Sequence, residues 1–409
     1  MRLPIFSTIL SYMLFTCHAV VAEDGFVSLF NGKDLTGWSV KGGDAKYLVE
    51  DGCVIGIVND EKWNTFLCSE KEYENFIFKV EFKFDQNFNS GVQFRSQTKP
   101  NGDREWVYGY QCEMDAARMT GAIYDEGKRS RWLNVESDEL MEKTQKPFKQ
   151  GEWNELEIQC VGPSIRTWLN GQPVTDIFDT ETDRGFFGLQ VHASKTPGQV
   201  RWRNIRVKEL PSTPWVPMYA NKKFDEDIEI KPVGEWTIQD DGVLCGKTPE
   251  NEQRDGIIVT KKTYKNFVAK VSFKMEKGNS GLYFRAIDVD KSYWLAGYQC
   301  EIAESPKVNA NFWEVQGRGW IQKTPETEVV AEKATKQGDW NHIGTIAIND
   351  HLVSFLNGWT IMDIIDPSPT HGKEGKIGLQ LHGGGNQGCL FNDFYIMPLS
   401  VEMVELITR

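Results

Sequence analysis

Two heptapeptides whose first residues are 190 positions apart fix the organisation of this chain: Asn89-Ser90-Gly91-Val92-Gln93-Phe94-Arg95 and Asn279-Ser280-Gly281-Leu282-Tyr283-Phe284-Arg285. A second pair keeps almost the same offset, Gly109-Tyr110-Gln111-Cys112-Glu113-Met114 and Gly297-Tyr298-Gln299-Cys300-Glu301-Ile302. Further pairs follow in order. Tyr73–Phe84 matches Tyr264–Met275, Gly151-Glu152-Trp153-Asn154 matches Gly338-Asp339-Trp340-Asn341, and Gly188–His192 matches Gly378–His382. A constant offset with small insertions means one unit of about 185 residues used twice, far longer than a solenoid repeat.

Inside each unit the matched segments alternate apolar and polar residues, the period of a half-buried strand. Asp51-Gly52, Asn170-Gly171 and Asn357-Gly358 supply hairpin turns between them. Many short strands with almost no 3.6-residue period predict an all-β protein, two tandem sandwiches with cores of their own. The exceptions are a polar stretch over Glu136–Lys146, a loop or short helix, and the tail Val401–Arg409. The expected boundaries are 23–210 for the first unit, a linker over 211–217, 218–400 for the second and diverged unit, and a tail over 401–409. Three prolines in Pro211-Ser212-Thr213-Pro214-Trp215-Val216-Pro217 make the linker a stiff spacer. So short a link should bring the two sandwiches into contact.

A chain of 409 residues is comfortable for two such domains, and 40% apolar with 25% charged residues fits a soluble globular protein. The formal charge of −12 gives nucleic-acid binding little support. The N-terminus reads as a secretory leader over 1–22: Arg2, an apolar run from Ile5 to Phe15, and Val20-Val21-Ala22 before the cut. Leu14-Phe15-Thr16 before Cys17 is a poor lipobox and argues against lipid attachment. No later run is long enough to span a bilayer. Of the eight cysteines, losing Cys17 leaves an odd number, and neither a disulfide framework nor a zinc spacing is visible. Cys112 and Cys300 fall on the apolar side of their strands and read as buried small hydrophobes.

FNGKDLTGW from Phe30 to Trp38, NSGVQFR, GYQCEMD, TGAIYDEG over 120–127, GEWNELEI, WLNG, GLQVH and VRWRNIRVKEL together resemble the 3-keto-disaccharide hydrolase family, also described as 3-keto-glucoside-1,2-lyase and 3-keto-2-hydroxyglucal hydratase. The resemblance covers 26–210 with its motifs in order. It covers about 214–400 less fully, because that unit lacks the DLTGW opening and carries Phe312-Trp313-Glu314-Val315-Gln316 where the first has IYDEG. It implies a concanavalin A-like jelly roll in each unit, bacterial export to the periplasm or beyond, and action on sugars oxidised at C3. It also implies a separate sugar 3-oxidoreductase to supply them.

Strict alternation places Gln93 with Arg95, Gln111 with Glu113, and Gln190 with His192 on the polar faces of three strands. A 3-keto sugar has an acidified C2–H. Its cleavage by proton removal and loss of the C1 group needs a base, an acid and a group to hold the enolate oxygen. Glu113 and His192 are candidates for base and acid in either order, and Arg95 for the enolate. Asp115, Tyr124, Glu126 and Arg131, in or beside the following loop, are candidate binding residues with Gln93, Gln111 and Gln190. The second unit offers Arg285, Glu301, Trp313, Arg318 and His382. An Arg95–Glu113 cross-strand ion pair and a structural His192 are the bland alternatives. A His-plus-carboxylate group can also hold a divalent metal, although the local spacing gives no ligand signature.

Two other functions compete. Glu113-Met114-Asp115 resembles the paired-acid strand of β-glucanases with this fold, but Arg118 stands where a further Glu belongs, which disfavours ordinary retaining hydrolysis. A non-catalytic carbohydrate-binding or adhesion protein of two lectin-like sandwiches fits the 14 Trp, 12 Tyr and 23 Phe. Retention of Arg, Glu and His at matched places weighs against it, since stacking alone does not require them.

Overall fold

A computed structural model describes residues 24–58, 60, 62–134, 137–221, 223–289 and 294–409. The expected leader over 1–22, Cys17 and the start of the polar stretch at Glu136 lie outside them. The chain folds as two tandem jelly-roll sandwiches, each an eight-stranded sheet packed on a seven-stranded one, with all pairings antiparallel. Among the described residues no helix is long and apolar enough to cross a membrane.

The strand Phe76–Phe84 shows why the layers form. Phe76, Phe78, Val80, Phe82 and Phe84 are buried while the residues between them are half exposed. These side chains meet Val92, Phe94, Tyr110, Cys112, Leu189 and Trp202 in one continuous core. Full burial of a side chain of this size contributes about 1.5–3 kcal/mol. The second unit repeats this with Phe267, Val271 and Phe273 against Leu282, Phe284 and Leu379. The hairpin turns are built as their sequences require, with φ +51° at Asn170 and +77° at Gly171, and +50° at Asn357 and +75° at Gly358.

The polar stretch becomes a helix, α1 (Asp138–Gln145), whose Ser137 hydroxyl accepts from the Leu140 amide. The matching helix of the second unit is α2 (Pro325–Ala334), and the tail is α3 (Val401–Thr408). The linker does more than space the units. Val216–Pro217 pairs with Tyr395 and Ile396 of the second unit, and the Trp215 indole donates to Asp183 of the first at 2.7 Å. Val161 of the first unit joins Val268, Ile346, Val353 and Met397 of the second, closed by Met403, Val404 and Ile407 of α3. All seven described cysteines are unpaired thiols, and Cys112 and Cys300 are buried in the cores.

Candidate functional site

In the seven-stranded sheet of the first unit the strand order brings together Ile123–Glu126, Arg104–Asp115, Asn89–Asn101, Phe186–Val191 and Thr65–Ser69. Residues opposite one another share a face. One row across the outer face reads Cys68, Gly188, Gln93, Gln111, Tyr124 and Trp132. The neighbouring row holds Phe66 beside Gln190 and Gly91 beside Glu113. Gly91 is needed there: a Cβ would sit 2.6 Å from Gln111 Cγ, so the missing side chain gives Gln111 its space. Gly281 does the same for Gln299, with the Cβ 2.4 Å from Cγ.

The row is wired in one direction. Ser96 Oγ donates to Gln93 Oε1 at 2.6 Å, Gln93 Nε2 to Gln111 Oε1 at 3.0 Å, and Gln111 Nε2 to Glu113 Oε2 at 3.1 Å. Asn89 Nδ2 donates to the other carboxyl oxygen. Glu113 is 4% exposed. Burial pushes its carboxyl up to about 7 against the pull of Gln111 and Asn89, and the nearby Asp115 and Glu126 add to the rise. Glu113 therefore exchanges its proton near neutral pH, where an ordinary glutamate cannot.

His192 follows the Gln190 strand. Burial draws its imidazole below the ordinary 6.5, partly opposed by the Ala193 backbone and the Asp115 charge. Asp115 thus acts on both Glu113 and His192. In the second unit His382 N bonds Asn279 O at 3.1 Å, and Asn279 Nδ2 donates to Glu301 at 2.9 Å, which fixes the same three-strand arrangement. Glu301 is likewise raised to about 7, by burial and against Asn279 and His382. Gln190 is 1% exposed, and neither atom of its amide has a hydrogen-bond partner; Asn89 Oδ1 is unpartnered too. Such buried groups are what a ligand's hydroxyls or carbonyl can satisfy. Tyr124, half buried, packs edge-on to Trp132 at 5.1 Å, and Glu126 accepts from Asn64 Nδ2 at 3.3 Å.

The structure thus brings together Gln93, Gln111, Glu113, Asp115, Gln190 and His192, with Tyr124 and Glu126 alongside. It does not bring Arg95. The alternation breaks at a register shift between Phe94 and Gln97, where Arg95 adopts φ +47°, so its side chain leaves the face shared by Gln93. Its guanidinium donates to the carbonyls of Glu74 and Gly162 at 2.8 Å each and to Asn75 Oδ1 at 3.1 Å. Arg285 repeats the conformation, φ +47°, and bonds the carbonyls of Lys265 and Asn349. Both arginines tie the sheets together; neither an enolate role nor an ion pair with Glu113 survives.

Arg131 also falls elsewhere. It donates to Gly358 O of the second unit and lies 3.6 Å over the Trp359 ring, so it belongs to the contact between units. Arg318 is held by Glu314 and Asp366 and donates to the Tyr298 hydroxyl at 3.3 Å. Its structural equivalent is Arg129, which pairs with Asp125 and Asp179. Trp313 stands in the Tyr124 position, edge-on to Trp320 at 5.1 Å. Asn64 and Asn89 were missed from the sequence. Asn89 had a signal, the Asn of the repeated NSG; Asn64, alone in a loop, had none. Among the described residues no three His, Cys, Asp or Glu side chains are grouped to hold a metal ion.

The family model described as the 3-keto-alpha-glucoside-1,2-lyase-like domain matches residues 25–208 and again 219–397. The chain belongs to that family, in two tandem copies. A curated relative, the 3-keto-disaccharide hydrolase of Bacteroides thetaiotaomicron, is 25% identical over 241 residues, covering 46% of this chain and 80% of the relative. Solved structures similar to one copy include a putative glycosyl hydrolase from Parabacteroides distasonis, 22% identical with TM-score 0.35, covering 47% of this chain and 99% of that one. The carbohydrate-binding module CBM66 of Bacillus subtilis is 18% identical with TM-score 0.33, covering 42% and 96%.

Proposed function

We propose that the first unit cleaves 3-keto-glycosides by elimination across C1 and C2, followed by hydration. The observation that carries this reading is Glu113: a buried carboxyl that holds its proton to about 7, in the same polar face as a neutral-leaning His192 and an unpartnered Gln190 amide. His192 removes the C2 proton, and its electron pair moves into the C2–C3 bond while the C3 oxygen becomes an enolate. Gln190 Nε2 donates to that oxygen, the role first expected of Arg95. The enolate then collapses, the C1–O bond breaks, and Glu113 protonates the leaving oxygen. Water added across the resulting C1–C2 double bond completes a net hydrolysis.

In the second unit Tyr283 occupies the Gln93 position, and Asp255 Oδ2 and Gln299 Nε2 engage the Gln380 amide at 2.7 and 3.0 Å. Ala303 and Val315 stand where the first unit has Asp115 and Glu126. These bonds occupy the Gln380 amide, whose first-unit counterpart Gln190 is left open, and this favours the first unit as the working one. The leader over 1–22 fits action outside the cytoplasm, on sugars oxidised at C3 by a separate oxidoreductase.

Incubation of the protein with a 3-keto-disaccharide, following sugar release against pH, tests the assignment. With Glu113 as acid, kcat/KM falls as pH rises through about 7, and Glu113→Gln abolishes that limb. A limb near 7 that rises with pH would make Glu113 the base. Intact oligosaccharide binding with no turnover in any condition would favour a lectin.

A further inference from the structure

Beyond the polar face, the first unit has a cleft of about 520 Å³ whose walls include two tryptophans, Trp63 and Trp106. In a unit whose large rings are mostly buried these two are 43% and 37% exposed. Trp106 is deliberately seated: Gly127, at φ +68°, lies so close to its indole that a Cβ would come within 2.3 Å of Nε1. The floor is Phe66 and Val107, part of a small apolar cluster on the outer face, separate from the main core. Asn101, Asp103, Arg104 and Glu105 ring the mouth with hydrogen-bonding groups, and Arg104 is steadied by Asp44 at 2.7 Å.

The cleft borders the candidate site at two residues. Glu126 lines it and raises the Glu113 proton affinity. Asn64 lines it as well, donating to Glu126 and accepting at 2.9 Å from the amide of Ala193, the residue after His192. The second unit keeps Asp255 at the place of Asn64, with the Gly383 amide on it at 2.7 Å. It keeps Trp294, 37% exposed, at the place of Trp106, but it loses the other wall: the residue before Asp255 is Arg254, clasped by Glu252 at 2.8 Å, where the first unit has Trp63, and Val315 stands for Glu126.

From this juxtaposition, and resting on the elimination reading above, we infer that Trp63 and Trp106 form a leaving-group subsite for a second pyranose ring, with both rings present in the first unit alone. A pyranose presents flat C–H faces to indole rings and equatorial hydroxyls to a polar rim, and this cleft offers both. A plain aryl group would satisfy the rings and leave the charged rim unused. Trp63 and Trp106 are therefore specificity-determining residues.

The test compares a 3-keto-disaccharide, phenyl 3-keto-glucoside and methyl 3-keto-glucoside in wild type, Trp63→Ala, Trp63→Phe and Trp106→Ala, with circular dichroism checking the fold. The expected result is a loss of tenfold or more in kcat/KM for the disaccharide in each alanine variant, under threefold for the methyl glycoside, and recovery in Trp63→Phe. Equal losses on all three substrates, or none, overturn the subsite. A loss larger for the phenyl than for the glucosyl leaving group overturns the pyranose in favour of an aryl group. If wild type turns over none of them, the reaction assignment fails by itself. Quenching of tryptophan fluorescence by the unoxidised disaccharide, lost in Trp63→Ala, then still supports the subsite, and its absence in wild type overturns it.

Discussion

Glu113→Gln should make the protein less sensitive to pH between about 4.5 and 8. In the folded state the Glu113 carboxyl is raised from the ordinary 4.5 to about 7, with burial the main cause. A carboxyl raised on folding supports stability fully below its unfolded value, and that support fades as pH climbs through the folded value. At 1.36 kcal/mol for each tenfold in proton affinity, the difference between 4.5 and about 7 comes to roughly 3 kcal/mol. Glutamine keeps the shape and cannot ionise. It has a fixed cost of its own, because its NH₂ faces either Asn89 Nδ2 or Gln111 Nε2, both donors to the carboxylate. That cost, about 1–3 kcal/mol for an unmatched buried polar group, does not vary with pH. Urea unfolding followed by tryptophan fluorescence at pH 4.5, 6, 7 and 8.5 separates the two. The variant should be the less stable protein at pH 4.5 and should gain on wild type by up to about 3 kcal/mol by pH 8.5. Glu301→Gln should trace the same curve, since Glu301 is buried alike and raised to about 7. A wild-type-minus-variant difference that stays flat across this range would refute the displaced proton affinity, and with it the acid role.

Other outcomes follow from the same contacts. In turnover of a 3-keto-disaccharide, Glu113→Gln should lose about 10²–10⁴-fold, the usual worth of a positioned acid or base, while Glu301→Gln retains most of the wild-type rate. Arg95→Met strands the Glu74 and Gly162 carbonyls, while Asn75 keeps its bonds to Gly162 N and Pro211 O, so it should lower unfolding stability by about 3 kcal/mol yet leave KM of the folded protein unchanged. Met403→Ala empties a fully buried place between α3 and the two units and should cost about 2–4 kcal/mol in the same unfolding assay.

Repeat, alternation and turn residues carry the fold because each is a local property that the tertiary structure reuses. Asn170-Gly171 needs no distant partner to favour a two-residue turn, and Phe76–Phe84 needs only a partner sheet to bury its phenylalanines. The same alternation located Gln93, Gln111, Glu113 and Gln190 on one face. It failed at Arg95 because one residue in a left-handed conformation, at a bulge, reverses the side-chain direction that alternation assumes. Nothing in NSGVQFR marks that residue, since arginine has no special taste for positive φ. Arg131 and Arg318 failed for another reason: Gly358 and Trp359, which hold the one, and Asp366, which with the nearby Glu314 holds the other, lie tens to hundreds of residues away, beyond any reading of local spacing.

Retention in both copies also turns out to mean two different things. Arg95 and Arg285 are kept because the sandwich needs them, whatever each unit does: their carbonyl partners are backbone, and backbone survives divergence of side chains. Glu113 and Glu301 are kept inside polar faces that have otherwise drifted apart, with Gln93 against Tyr283, Asn64 against Asp255, Asp115 against Ala303 and Glu126 against Val315. A buried carboxyl raised to about 7 is a standing cost to a fold that could use glutamine there. The first unit sets that cost beside an unpartnered Gln190 and a cleft with two tryptophans, whereas in the second the matching amide, Gln380, is already bonded to Asp255 and Gln299. Restoring the second site would therefore take more than one change. Tyr283→Gln and Asp255→Asn remove the hydroxyl and carboxylate that now accept from Gln380 Nε2, and Val315→Glu returns the second carboxylate. If the triple variant, made on a Glu113→Gln background, recovered turnover of a 3-keto-disaccharide, the difference between the copies would lie in these side chains. No recovery would place it instead in the cleft wall, where Arg254 stands for Trp63.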